Sequence, residues 1–222
     1  MSKTKITILY DKDAMDDHFG TGWGFSCLVE KGRDRILFDT GWDGDKLIRN
    51  AKLLAVDLSK VTAIFISHDH WDHMGGLARI LNKMRKPTVY VPASMSERLK
   101  QEISERTKVV LVHNETKIGD GLFSTGEMGK VEKEQSLLIE VEGGWAILTG
   151  CAHQGLENIM ALARKKGHLK AVIGGFHGFQ SIDDLDSVEE LIPCHCTIYK
   201  KDIAERYPDR TVHGGVGKVI EL

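Results

Sequence analysis

The sequence predicts an α/β fold in which two packed sheets carry helices on their outer faces. Three observations point there. The early apolar runs are short, strand-like and joined by tight turns, as in a meander. The later ones alternate with segments of helical periodicity. One apolar run, Ala63-Ile64-Phe65-Ile66, feeds directly into a polar loop dense in His and Asp, the arrangement of a buried strand ending in a ligand-bearing turn.

Residues 5–10 alternate and read as the first strand. Residues 11–24 are polar and Gly-rich and read as a loop near the mouth of a site, with His18 facing solvent or substrate rather than a metal. Residues 25–30 and 35–38 are strands joined by a turn at 31–34, and the second ends in Asp39-Thr40-Gly41. Residues 44–55 place Leu47, Ile48, Ala51 and Leu54 on one helical face. After the loop at 67–76 comes a helix over 77–84, then a strand at 88–91. Ser94 and Glu97 match a capping box that opens a helix over 95–106. Residues 109–112, 122–125, 136–141 and 145–148 are strands, with Gly143-Gly144 as a hairpin turn. His113 is expected to be structural or exposed. A helix covers 156–166, a buried strand 170–173, a short acidic helix 183–191 and another helix 200–207. Residues 211–222 close the chain with a Gly-interrupted strand. No repeat, low-complexity segment or linker divides residues 1–222, so one domain is expected.

Composition narrows the function classes. The 222 residues suffice for a sizeable core, and 41% hydrophobic with 28% charged content is ordinary for a soluble protein. Net charge is −2 with Lys and Arg scattered, so nothing indicates nucleic acid or an anionic membrane as partner. Residues 1–5 lead straight into the first strand with no export signal, and no apolar stretch approaches the ~20 residues of a membrane span. Reduced thiols at Cys27, Cys151, Cys194 and Cys196, and a cytoplasmic location, are therefore expected.

The chemistry concentrates in Ser67-His68-Asp69-His70-Trp71-Asp72-His73-Met74-Gly75-Gly76. Imidazole and carboxylate are the usual ligands of zinc and similar metals. Residues two apart in an extended segment share a face, so His68 and His70 can reach one pocket. Adjacent Asp72 and His73 can share a pocket only if the chain turns into a helix there, where they could serve a second metal. Further His residues sit at strand ends, at His153, His177 and His195, where partners for such a loop are found.

The spacing His-x-His-x-Asp-His resembles the signature of the metallo-β-lactamase superfamily. That resemblance implies a four-layer αββα sandwich with a metal site at the sheet edges, usually dinuclear and usually hydrolytic. It implies that Asp39 supports the metal loop by hydrogen bonds, and that His195 is a ligand near the C-terminus. Cys151 stands where the family most often has Asp, and a thiolate there can bind metal or merely face the site. The family's intervening His is missing from 122–127, which leaves either His153 or Glu127 as third ligand beside His68 and His70, with preference for His153. Thr149-Gly150-Cys151-Ala152-His153, Gly174-Gly175-Phe176-His177 and His195-Cys196-Thr197 together resemble the dihydropterin methyl ribofuranosyl-aminobenzene phosphate synthase-like branch, over most of the chain. Trp23 and Ile198 depart from that branch where a His and a Gly are usual, and both changes bear on the substrate mouth.

The expectation is a hydrolase with two divalent metal ions, zinc first and iron or manganese as alternatives, acting on an ester or phosphoester of a small molecule, by resemblance phosphorylated or pterin-like. The expected metal ligands are His68, His70, Asp72, His73, His153 and His195. Asp72 would also orient the nucleophile, Asp69 would hold a ligand imidazole, and His177 would contact an anionic group or protonate the leaving group. Cys151, Cys194 and Cys196 keep an iron-dependent redox or electron-transfer alternative in view, and a non-catalytic metal-binding protein is the third reading. A regular strand through 194–196 would turn Cys194 and Cys196 away from the face of His195, against all three binding one metal.

Overall fold

The computed structural model describes residues 3–222; Met1 and Ser2, which open the stretch read as leading into the first strand, lie outside the described residues. Thirteen strands and six α-helices are assigned among them. One sheet has seven strands in the order β13-β1-β2-β3-β4-β5-β6, and the other six in the order β12-β11-β10-β9-β8-β7. In the first sheet β1 (Thr4–Tyr10), β2 (Ser26–Lys31) and β3 (Asp34–Phe38) form the expected antiparallel meander, and β13 (Val219–Glu221) pairs antiparallel on the outer side of β1. The strands β4 (Ala63–Phe65), β5 (Thr88–Pro92) and β6 (Val109–Val112) then run parallel to β3. Parallel neighbours need crossovers, which α1 (Gly44–Leu53), α2 (Trp71–Met74) with α3 (Leu77–Leu81), and α4 (Glu97–Ser104) supply.

The second sheet repeats the plan. Antiparallel β7 (Thr116–Gly119), β8 (Leu122–Ser124), β9 (Leu137–Val141) and β10 (Gly144–Thr149) are followed by β11 (Leu169–Gly175) and β12 (Glu190–Cys194), both parallel to β10. Helix α5 (Leu156–Arg164) joins β10 to β11, and α6 (Lys200–Arg206) follows β12.

Strand alternation sorts the apolar residues into three layers of core. Ile36, Phe38 and Phe65 of the first sheet meet Leu137, Ile139, Ala146, Leu148, Ala171 and Ile173 of the second. The opposite faces, carrying Leu37, Ile64 and Val89 in one sheet and Ile147 and Val172 in the other, bury Leu47, Leu77 and Ile103 of the helices on one side and Ile159, Met160 and Ile203 on the other. This is the four-layer αββα sandwich.

Four local expectations are corrected. The side chain that caps α4 is Ser96, whose Oγ accepts from Leu99 N–H, whereas Ser94 gives its N–H to Glu127. The acidic segment 183–191 is not an α-helix. It is a 3-10 turn over Ile182–Leu185, after which Leu191 and Ile192, both fully buried, belong to β12. The helix read over 77–84 ends at Leu81 and is preceded by the separate turn of α2. Strand β7 has no counterpart in the sequence reading. Among the described residues no helix is long and apolar enough to cross a membrane.

Candidate metal centre

The carboxyl ends of β3, β4, β10, β11 and β12 converge, the position at which open parallel sheets offer ligands. All of these strands but β4 leave the sheet through a sharp backbone turn. Asp39 (φ 52°), Ala152 (φ 59°), His177 (φ 44°) and His195 (φ 44°) all lie in the left-handed region there.

His68, His70 and His153 bring ligand atoms within 4.8 Å of one another, as do Asp72, His73 and His195. A third group, His68, His73 and Cys151, lies between these two, and a fourth joins Cys151 to His195 and Cys196. All six residues named as ligands from sequence are thus gathered at one sheet edge. Asp72 and His73 get there as expected, on the short helix α2. Close approach around them is made possible by Gly24 (φ 129°), where a Cβ would stand 2.2 Å from the Asp72 carbonyl oxygen.

The hydrogen bonds fix the ring tautomers. Ser67 Oγ donates to Asp39 Oδ2 at 2.7 Å, so the 2.9 Å bond from His68 Nδ1 to Ser67 Oγ takes its proton from the imidazole. His73 Nδ1–H donates to the same Asp39 Oδ2 at 2.7 Å, and Ser67 N–H to Oδ1 at 2.7 Å. Asp39 therefore supports the loop as expected, and both rings present Nε2 to the shared space. His153 Nδ1 is held at 2.9 Å by Glu132 Oε2, which frees its Nε2 as well. The buried Nε2 atoms of His68 and His153, and Nδ1 of His195, lack any hydrogen-bond partner, while His195 Nε2 meets only the Asp72 carboxylate. Unpaired buried imidazole nitrogens aimed at common points are costly unless something accepts their lone pairs, and a divalent cation would. The donor set of imidazole, carboxylate and thiolate fits zinc and its neighbours.

Electrostatics holds His68, His153 and Asp72 in the forms that bind a metal, while His73 and Cys151 must give up a proton to do so. Burial first, and the neighbouring imidazoles second, hold His68 well below the ordinary histidine range, so it is neutral. Burial likewise lowers His153. Burial alone would raise Asp72, but the contact with His195, whose Nε2 lies 3.1 Å away, and the charge on His73 bring it down to about 2. Burial would also depress His73, yet Asp39 outweighs it and pushes that ring up to about 8. Cys151 Sγ lies 3.2 Å from His73 Nε2 and 3.3 Å from Cys196 Sγ. The hydrogen bond between the two thiols, ahead of burial, raises Cys151, and the same bond lowers Cys196.

Several expectations are revised here. Asp69 is exposed and makes no hydrogen bond to a ligand imidazole among the described residues; Asp39, Ser67 and Glu132 do that work. Glu127 belongs to none of the donor groups, because its carboxylate is engaged by Ser94, which leaves His153 as the third donor beside His68 and His70. Cys196 does not point away from the side of His195: β12 ends at Cys194, and the turn at His195 brings residues 195 and 196 to the same edge. His177 is exposed at the rim, its ring 4.9 Å from that of His153. A recess of about 350 Å³ opens there, lined by His153, Leu156, Phe176, His177 and Gln180. Trp23 covers His195 with ring centroids 4.8 Å apart, and Ile198 is exposed, so both departures from the family pattern stand at the mouth.

Two residues that sequence reasoning missed shape the centre. Glu134 is fully buried and takes N–H groups from Gly150, Cys151, Ala152 and His153 at 2.8–3.1 Å. Asp11, also fully buried, accepts from His195 N–H at 3.2–3.3 Å. Neither lies in a local motif; a carboxylate three residues from the start of β9 and another at the end of β1 were the only signals.

Comparison with known proteins agrees with this fold. The profile of the Metallo-beta-lactamase superfamily matches residues 22–163. The 7,8-dihydropterin-6-methyl-4-(beta-D-ribofuranosyl)-aminobenzene-5'-phosphate synthase of Methanocaldococcus jannaschii is 24% identical over 97% of this chain and 95% of its own length. A crystal structure of a metal-dependent hydrolase of the β-lactamase superfamily superposes with a TM-score of 0.82 at 27% identity, covering 99% of both chains. Zinc-bound PqqB from Methylobacterium extorquens shares the fold at 13% identity, with a TM-score of 0.68 over 98% of this chain and all of its own. Nothing in these relatives supports an iron-dependent redox or electron-transfer role. The chain belongs to the metallo-β-lactamase superfamily and has its metal-dependent hydrolase fold, with His, Asp and Cys side chains gathered as candidate ligands.

Proposed function

We propose that the protein is a hydrolase that holds two divalent cations, zinc first and iron or manganese as alternatives, and cleaves an ester or phosphoester of a small molecule. His68, His70 and His153 would hold one cation, and Asp72, His73 and His195 the other, with Cys151 between them. The observation that carries this reading is the set of buried, unpaired imidazole nitrogens, Nε2 of His68 and of His153 and Nδ1 of His195. Cations bound there would supply Lewis acidity toward the substrate oxygen and a lowered pKa for water, toward ~7.

The chain's own groups do the rest. Asp72, held ionised, accepts a hydrogen bond from the attacking water and orients it. Asp39 and Ser67 keep the ligand rings in the tautomers that offer Nε2. His177, exposed beside the recess, is placed to meet an anionic group or give a proton to the leaving group. The M. jannaschii relative is named for a phosphate-bearing pterin compound, which makes a phosphorylated or pterin-like substrate the first to test.

The test is hydrolysis of a generic phosphodiester, such as bis(p-nitrophenyl) phosphate, by protein of verified metal content. Cleavage is expected, and its loss in the His68→Ala, His70→Ala double variant. Metal-loaded wild-type protein inert toward phosphoesters, lactones and thioesters alike would overturn the proposal.

A further inference from the structure

The cysteines of this chain fall into two kinds. Cys27 and Cys194 are fully buried in the apolar layer between the sheets, and Cys194 Sγ donates to the Ile192 carbonyl. Cys151 and Cys196 instead face each other at the sheet edge, their sulfurs 3.3 Å apart, in a group completed by His195. Resting on the two-metal reading above, we propose that Cys196 is a donor to the second cation together with Cys151 and His195, which makes that position thiolate-rich and selective for zinc over manganese or magnesium.

The backbone is built to deliver this donor. In a regular strand, consecutive residues His195 and Cys196 would point to opposite faces. The left-handed turn at His195 cancels that alternation. It is an uncommon conformation for a residue with a side chain, and it persists only where neighbours enforce it. Here they do. Asp11 takes the His195 N–H, Thr197 Oγ1 donates to the Cys194 carbonyl at 2.7 Å, and the same hydroxyl accepts Phe176 N–H at 2.9 Å. Room for the sulfur is made by Gly175, where a Cβ would stand 2.7 Å from Cys196 Sγ.

The neighbouring donors leave Cys196 a task. His195 has no hydrogen-bond partner on Nδ1, and its Nε2 meets only the Asp72 carboxylate at 3.1 Å. Cys151 Sγ is 3.2 Å from His73 Nε2, so it borders the cluster to which His195 belongs. A cation near His195 therefore meets imidazole and two sulfurs. Each thiol gives up its proton on coordination, and soft thiolate ligands favour zinc over oxygen-seeking manganese and magnesium. A core role for Cys196 as a small apolar residue would need neither the turn at His195 nor a second thiol in contact.

Cobalt(II) and cadmium-113 are the probes, used on full-length protein kept reduced and free of oxygen. Wild-type protein should bind two equivalents of cobalt and show an intense near-ultraviolet sulfur-to-cobalt charge-transfer band. In Cys196→Ser that band should fall by roughly half, while Cys194→Ser leaves it unchanged. Cadmium-113 NMR of the unmutated protein should give one resonance shifted as for two sulfur ligands and one as for nitrogen and oxygen ligands, a readout that does not depend on any variant folding. A band that survives Cys196→Ser intact but vanishes in Cys151→Ser, or a cadmium resonance typical of a single sulfur, would overturn the proposal. Wild-type protein that binds only one equivalent, without a charge-transfer band, would instead bring down the two-metal reading on which it stands.

Discussion

Replacing Asp39 by Asn isolates what a single buried carboxylate does for the two candidate metal positions. The carboxylate accepts three bonds: Ser67 N–H on one oxygen, and Ser67 Oγ–H with His73 Nδ1–H on the other. Asn keeps one acceptor oxygen. With that oxygen left on Ser67 N–H, the new amide NH₂ faces His73 Nδ1, and two donors meet. The ring can escape only by moving its proton to Nε2, the atom that would bind metal. Restoring the ligating tautomer then leaves a buried donor unsatisfied, a penalty of about 1–3 kcal/mol. At ~1.4 kcal/mol per factor of ten, this weakens the His73-containing position roughly 10- to 100-fold, the range typical when a group holding a metal ligand is lost. The His68/His70/His153 position should lose less, because Asp39 reaches it only through Ser67. The assay is competition titration against a chromophoric chelator, fitting the two equivalents separately, with circular dichroism to verify folding. Unchanged affinity for both equivalents, or equal losses at both, would refute this account of Asp39.

Glu134→Ala should remove the acceptor of the Gly150, Cys151, Ala152 and His153 amides, and with their burial the metal-free protein should lose at least ~3 kcal/mol in urea unfolding at neutral pH; a loss below ~1 kcal/mol would show that the carboxylate is dispensable. The Asp13–Lys200 pair, at 2.7 Å, should be felt in acid. Partial burial raises Asp13, but the lysine outweighs it and leaves the carboxyl below its ordinary value. A depressed folded-state pKa stabilises above the unfolded value of ~4 and stops stabilising as pH falls through the folded one. The pair is partly exposed, so the effect is under ~1 kcal/mol. Asp13→Asn should accordingly flatten the acid-side fall of the urea midpoint, and an identical fall in wild type and variant would contradict the assignment.

What could be read in the sequence was what is local. The 67–76 loop declares its candidate ligands because the strand end, the His-x-His spacing and the turn into α2 all lie within ten residues. The apolar alternation of β1 to β3 was equally plain, since one residue in two faces the inter-sheet core. Glu134 was invisible for the opposite reason. Nothing near it in the polar 126–135 stretch distinguishes it, and its four amide partners lie 16 to 19 residues further along the chain. Cys196 was misplaced because the alternation rule holds only inside a regular strand, and His195 ends that regularity with one positive φ. The acidic 183–191 segment looked helical by composition, but Leu191 and Ile192 had more to gain by pairing with β11 in the sheet. Strand β7 escaped notice as a partly exposed edge with no clean alternation.

The bond from Asp11 to His195 spans 184 residues. A chain made from its N-terminus has His68, His70, Glu134 and His153 in hand long before His195 and Cys196 exist. The donors of the first cluster and the carboxylate that clamps His153 are therefore all made before the end of β12, whereas the second cluster needs a residue from the last eighth of the chain, tied back to the end of the first strand. The order of synthesis thus puts the donors grouped with His68 in place first, and His195 and Cys196 only when the molecule is nearly finished.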